Sequence, residues 1–466
     1  MKMTKRIFAC ILALCLIACA FVGCGETEKK DDTASKTEKV DTSGVDHIYF
    51  LNFKPEIADK YEAIAAEYEK ETGIKVKVTT AASGEYEKTL TSEIAKSDPP
   101  TIFQINGPIG YSNWADYCAD LKDTELYNIL SDKGVELAVK KDGGVYGIPY
   151  AVEGYGIIYN DEIMQKYFKT DGAVVTATDE IKSFDTLKKV VEDMTAKKDD
   201  LGIEGVFGST SLKTGDDWRW QTHLVNVPLF YEFNTNDESP ITNCLNADTF
   251  EFKYSDNYKN LFDLYTDNSC TEKKLLGSKT VDESMAEFAT GKCAMIQNGN
   301  WAWSQVSGVD GNVVAEDSIK FLPLYMGIEG EENQGLCVGT ENYFAINSEV
   351  DEATQQASID FLEWLFTSDY GKKAVIEELG FITPFTSFKE DEKPTDPLAK
   401  DVLAWMAKTD ANNVSWTFAG IPSENWKNEF GASLLEYVQG QKDWAKVVDD
   451  AKSTWTTERE AAATNE

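Results

Sequence analysis

The feature that most constrains this chain is an alternation of strand-like and helix-like segments between His47 and Ile105. His47 to Phe53 is a short β-rich run. Pro55 then opens a pattern that places Ile57, Tyr61, Ile64, Ala65 and Tyr68 on one face of a helix. Gly73 stops that helix, and Ile74-Lys75-Val76-Lys77-Val78 alternates as a strand should. A helix around Tyr86 to Lys96 and a strand at Thr101 to Ile105, after Pro99-Pro100, extend the series. Such a series indicates an α/β fold with a mostly parallel sheet flanked by helices.

The N-terminus reads as an address. Lys2, Lys5 and Arg6 precede a short apolar run, Ile7 to Ala18, too brief for a comfortable membrane span and suited to an export signal. A small residue directly before a cysteine at the end of such a run resembles the lipobox of bacterial lipoproteins. Cys24 is the expected lipidation site because it opens directly onto a polar stretch, and Cys19 is the alternative frame. In lipoproteins that cysteine carries several acyl chains, and two or more anchor stably where one does not. Residues 1–23 are thus expected to be a signal peptide and 24–44 the acylated cysteine with a flexible tether. Gly25 to Gly44 holds too little apolar surface to offset its ordering entropy.

Composition excludes several functions. The net charge of −35 argues against nucleic acid and against adsorption on anionic lipid. Two histidines, His47 and His223, leave little for an imidazole metal site or a catalytic triad base, so no metal and no cofactor are expected. Beyond the tether, Cys118, Cys244, Cys270, Cys293 and Cys337 are odd in number and scattered. Buried thiols are the expected state, with one bridge such as Cys244–Cys270 the alternative.

Two later stretches point to a ligand site. Gly143 to Asn160 holds two β-like pieces around Glu153-Gly154, which suits either a crossing between two lobes or a plain β-bend. Met285 to Ser304 reads as a helix closed by Gly291, a buried strand at Cys293 to Ile296, and a glycine turn presenting Trp301 and Trp303. Large aromatics at a strand's C-terminal end sit where open α/β sheets bind ligands.

Together these motifs resemble the family-1 extracellular solute-binding proteins of bacterial importers, maltose- and maltodextrin-binding proteins among them. The residues that carry the resemblance are Ala294-Met295-Ile296, Asn298-Gly299 and Trp301-Ala302-Trp303. They include Ile148 to Glu153 with Ile157 to Asn160, and Phe344-Ala345-Ile346-Asn347 with the helix Ala357 to Phe366 and Gly371. The resemblance implies a two-lobed periplasmic-binding-protein fold with hinge crossings and the ligand in the cleft. Lobe 1 is expected at 46–153 with 337–384, and lobe 2 at 156–333 with 388–458. It also implies a monomer that captures oligosaccharides, lipid-anchored outside the cytoplasm, which docks on permease subunits driven by a cytoplasmic ATPase. It implies no enzyme activity.

The family's stacking tryptophan matches Trp301, and its hinge glutamate matches Glu153. Other candidate sugar-binding residues come from this chain alone. Trp218 and Trp220 share a face if that piece is extended, with Asp217 and Arg219 beside them. Trp416 lies in a polar loop, Gln104 and Asn106 follow a strand end, Tyr155 either stacks on ligand or packs, and Gly339 permits close backbone approach. The stretch from Asp217 to Leu224 looks closer to binders of raffinose-like α-linked oligosaccharides than to maltose binders. Two other classes stay open: a binder of a polyamine or peptide, and a glycoside hydrolase pairing Glu153 with Asp217 or Glu341.

Overall fold

The structure is a computed structural model of the chain and describes residues 40–463 except 83, 236 and 237. The expected signal segment, Cys19, Cys24 and all but the end of the tether lie outside the described residues. Twelve strands are found among the described residues. They are β1 (His47–Asn52), β2 (Lys75–Thr80), β3 (Ile102–Asn106), β4 (Val139–Lys141), β5 (Gly144–Pro149), β6 (Glu153–Asn160), β7 (Gly205–Phe207), β8 (Cys293–Gly299), β9 (Ile319–Leu322), β10 (Gln334–Gly339), β11 (Asn342–Ile346) and β12 (Asn412–Ser415).

Local sequence explains the first elements. The helix Ala58–Thr72 buries Tyr61, Ile64, Ala65 and Tyr68, one stripe at helical spacing. It ends at Gly73, whose φ of 81° is the left-handed cap that glycine adopts at least cost. β1 pairs parallel with β2 and β3, as the alternation predicts.

The strands form two sheets, ordered β2-β1-β3-β11-β5-β4 and β12-β10-β6-β8-β7, with β9 also paired to β6. Each packs against its own apolar core, one around Phe50, Ile102, Phe344 and Leu362, the other around Ile157, Phe207, Phe262 and Trp426. The ladders are mixed rather than mostly parallel. β1–β2, β1–β3, β7–β8 and β10–β12 run parallel, whereas β6, β10 and β11 join their neighbours largely antiparallel. The cause is connectivity: a chain that leaves one lobe and later returns lays its outgoing and incoming strands in opposite directions.

Those passages lie side by side. β5 leads through 150–152 into β6, and β10 leads back through Thr340–Glu341 into β11. Glu153 pairs with Gly339, and Val152 bridges Ile382. Cys337, Val338 and Gly339 pair with β6 and β12, so these residues stand in the second sheet and not in the first lobe. The third passage follows Phe388, which packs on the first core, and precedes the helix Pro397–Met406, which packs beside β6 and β10. Cys118, Cys244, Cys270, Cys293 and Cys337 are free thiols, all buried except Cys270. Among the described residues, no helix is long and apolar enough to cross a membrane.

Candidate functional site

The carboxyl ends of β1, β3 and β8 open toward one cleft, as they do at ligand sites of α/β sheets. Phe53 and Lys54 follow β1, Gln104 and Asn106 end β3, and Trp301 follows β8. Together they line a cavity of about 390 Å³, within the range of small-molecule sites. The lobes meet around it. Asn106 donates to Glu424 Oε1 across the cleft at 3.1 Å. A Cβ on Gly84 would stand 2.5 Å from the Gly215 carbonyl oxygen of the opposite lobe, so only a bare backbone fits there.

The second lobe supplies an aromatic wall. Arg219–Leu224 forms a π-helix, a wide turn that is frequent at functional sites. Trp218, Gln221, Thr222 and His223 line the cavity from this segment. Trp301 lies over Gly299, where any Cβ would overlap its ring. This accounts for the glycine two positions before the tryptophan. Trp218 and Trp301 have ring centres 6.0 Å apart, and His223 is 4.8 Å from Trp218 and 5.4 Å from Trp301. The His223 ring stacks at 4.3 Å on Tyr155, which lies behind it. Burial, with Arg219, Lys427 and Lys54 nearby, holds His223 well below its ordinary value, so it is neutral. Its Nδ1 and the indole Nε1 of Trp301 and Trp416 are buried with no hydrogen-bond partner among the described residues.

The remaining polar groups form two ionic clusters. Lys54 Nζ lies 2.7 Å from Glu153 Oε1 and 3.7 Å from Glu56 Oε1. Burial pulls the Lys54 ammonium down, but Glu153 and Glu56 more than offset this and leave it above the usual lysine value. Lys427 Nζ bonds Glu424 Oε1 at 2.7 Å. Between the clusters, burial drives the Glu341 carboxyl up to about 7 against the pull of Lys427, with Glu424 and Glu153 adding to the rise.

The structure sorts the candidate residues from the sequence. Trp301, Glu153, Trp218, Trp416, Asn106 and Gln104 all line the cavity. Gln104 is committed to structure, because its Oε1 accepts from Phe53 N at 2.6 Å and its Nε2 donates to Tyr150 at 2.8 Å. Trp220 is a correction: it is fully buried, with its ring on Phe262 and Tyr265. The expectation of a shared face assumed extended backbone; in a helical turn, residues two apart point to different sides. Tyr155 belongs to the same core and donates to the His223 carbonyl at 3.1 Å. Asp217 is 2 % exposed and holds the π-helix start, accepting from Gly215 N and Gln221 Nε2 at 3.2 Å each. Arg219 lies behind the wall, its guanidinium 3.9 Å from the Trp218 ring centre. Gly339 makes room for Trp416, since a Cβ there would come within 2.5 Å of that ring, and it does not line the cavity.

Lys54, Lys427, Glu424 and His223 enter the site from outside that set. The lysines and Glu424 look in sequence like members of a solvated face, although Lys54 does follow a strand end. His223 carries a faint signal as one of two histidines, beside Trp220-Gln221-Thr222. Among the described residues, no group of three or more His, Cys, Asp or Glu is placed to hold a metal ion.

Comparison with known proteins adds a lineage. Residues 63–404 match the family described as bacterial extracellular solute-binding protein. A segment of 158 residues is 28% identical to the melibiose/raffinose/stachyose-binding protein MelE of Bacillus subtilis (strain 168), covering 34% of this chain and 35% of that relative. The match thus spans about a third of that relative's length. The fold is shared with a chitin oligosaccharide binding protein (TM-score 0.69, 20% identity, 89% of this chain and 99% of that one). It is also shared with the binding protein RafE in complex with raffinose (TM-score 0.66, 18% identity, 89% and 99%).

Proposed function

The chain belongs to the bacterial extracellular solute-binding proteins, and from that premise we propose that it captures oligosaccharides of the α-linked, raffinose-like class for an ATP-driven importer. The family acts outside the cytoplasm, and its members bind solutes. The observation that carries the sugar reading is the second-lobe wall: two tryptophan faces and a neutral imidazole line the cavity, with three buried polar atoms left unpartnered.

A pyranose meets both demands. Its C–H face covers an aromatic ring, and its rim hydroxyls reach unpaired N–H groups and carboxylates. Burying about 80–100 Å² on one ring contributes about 2 kcal/mol. Micromolar affinity needs about 8 kcal/mol net, within reach of two stacked rings plus hydrogen bonds after association costs. Glu153, at the hinge, remains a candidate hydroxyl acceptor despite its pairing with Lys54. The part-length likeness to MelE supports the α-linked class.

Capture then proceeds by closure. The ligand meets the aromatic wall, and hinge bending brings the first lobe over it, making contacts such as Asn106 to Glu424. The sugar favours the closed form only through contacts made there and not in the open one. The closed monomer, tethered through lipid on Cys24, docks on permease subunits served by a cytoplasmic ATPase. One observation favours a second reading, a cationic solute such as a polyamine: glutamates outnumber lysines around the cavity.

Calorimetric titration with raffinose, stachyose, malto-oligosaccharides, β-linked gluco- and xylo-oligosaccharides and spermidine tests the proposal. Saturable micromolar binding of an α-linked sugar, recovered uncut, is the expected result. Binding of spermidine alone overturns the sugar reading, and shortened sugars would mean hydrolysis.

A further inference from the structure

A second cavity, also of about 390 Å³, lies beyond the first. Among the described residues, four line both: Lys54, Glu56, Glu153 and Trp301. They make a partition. The Lys54 ammonium stands 2.7 Å from Glu153 and 5.7 Å from the centre of the Trp301 ring. Its backbone is fixed on both sides by Asn52, whose amide accepts from Lys54 N at 3.0 Å and donates to Lys54 O at 2.8 Å. Lys54 is 5 % exposed and Glu153 6 %. A buried ion pair is weak support for stability, because dehydrating the charges consumes most of their attraction. Its place between two cavities therefore calls for another account.

The far cavity is the more charged of the two, with Glu316, Glu377, Glu378, Asp396, Lys60 and Lys400 along its wall, but it also offers groups that a sugar can use. Trp303 offers a half-buried indole, Ser304, Ser307 and Thr395 offer hydroxyls, and Asn300 offers an amide. The Trp301 ring, in the partition, borders both chambers. On the reading that the near cavity takes a sugar, we propose that the Lys54–Glu153 pair over Trp301 is the end wall that sets ligand length, and that the far cavity is the subsite which opens when the wall is removed.

The test titrates the full chain and Lys54→Ala with α-linked sugars of two, three, four and five rings: melibiose, raffinose, stachyose and the next pentasaccharide of that series. The readout is the ratio of dissociation constants between longer and shorter ligands, which is insensitive to a uniform change in affinity. In the unaltered protein the ratio rises at least tenfold at the first length that exceeds the near cavity. In Lys54→Ala that rise shrinks at least tenfold. Adding Trp303→Ala, which touches only the far chamber, abolishes this gain and leaves the shortest ligand unchanged. Lys54→Ala/Glu153→Gln, which leaves no carboxylate at position 153 facing a missing ammonium, serves if the single variant does not fold. A length profile that is flat in the unaltered protein, or identical in Lys54→Ala, overturns the wall. No binding of any sugar by the unaltered protein instead overturns the functional reading beneath it.

Discussion

On the first-lobe side of the cavity, Gln104 and Lys54 are already engaged. Gln104 bonds Phe53 and Tyr150, its own N–H reaches Tyr86, and Lys54 is held by Asn52 and Glu153. On the second-lobe side, Trp301, Trp416 and His223 each keep a buried polar atom without a partner. Leaving such a group unpaired costs about 1–3 kcal/mol, so a ligand that bonds it recovers energy already spent in folding. Under the proposed function the difference divides the labour: the first lobe, Glu153 apart, shapes the chamber, and the second recognises the occupant.

Four experiments break or sharpen that division. The largest effect belongs to the core behind the recognising wall. Trp220→Ala should lower stability by about 3–5 kcal/mol in a melting experiment while the folded protein still binds. Lost affinity with an unchanged melting temperature would put Trp220 in the wall. Next is the wall itself: Trp301→Ala should weaken sugar binding at least tenfold in calorimetry, from about 2 kcal/mol of stacked surface. Undiminished binding removes Trp301 from recognition.

The third experiment concerns pH. Closure around Glu341 holds its carboxyl at about 7 through burial, and opening returns it toward the free value of about 4.3. A carboxyl raised by closure favours the closed form when protonated. Affinity should therefore fall as pH climbs from about 4.3 to about 7 and level off above that, by about tenfold between pH 5.5 and 7.5. Glu341→Gln should flatten the profile; a slope that survives the substitution assigns the effect to another group. The smallest effect is expected on the first lobe. Asn106→Ala removes one cross-cleft hydrogen bond of about 0.5–1.5 kcal/mol. Ligand release, followed by tryptophan fluorescence, should quicken a few-fold, and an unchanged rate would show that this bond does not hold the closed form.

Much of this architecture was legible because its signals are local. Apolar spacing from Ile57 to Tyr68 and the stop at Gly73 need only a few neighbouring residues to be read. The Gly299-Asn300-Trp301 turn announced a site for the same reason. Trp220 misled because an aromatic near the cleft in sequence still has two sides to face. The choice between them was made by a π-turn, which no short pattern encodes. Lys54 and Lys427 were harder still. A charged residue reads as solvent-facing until tertiary packing buries it, whether its partner is as distant as Glu153 is from Lys54 or one helical turn away, as Glu424 is from Lys427.

The passages between the lobes carry one more consequence. Val152 donates to the Ile382 carbonyl at 2.7 Å while its neighbour Glu153 pairs with Gly339. Two of the three connections are thereby stitched side by side, with the backbone at Ile382 alongside, into a narrow ribbon instead of hanging as separate threads. A ribbon flexes readily across its face and resists shearing in its own plane. Under the proposed function, relative movement of the lobes would follow that one soft coordinate.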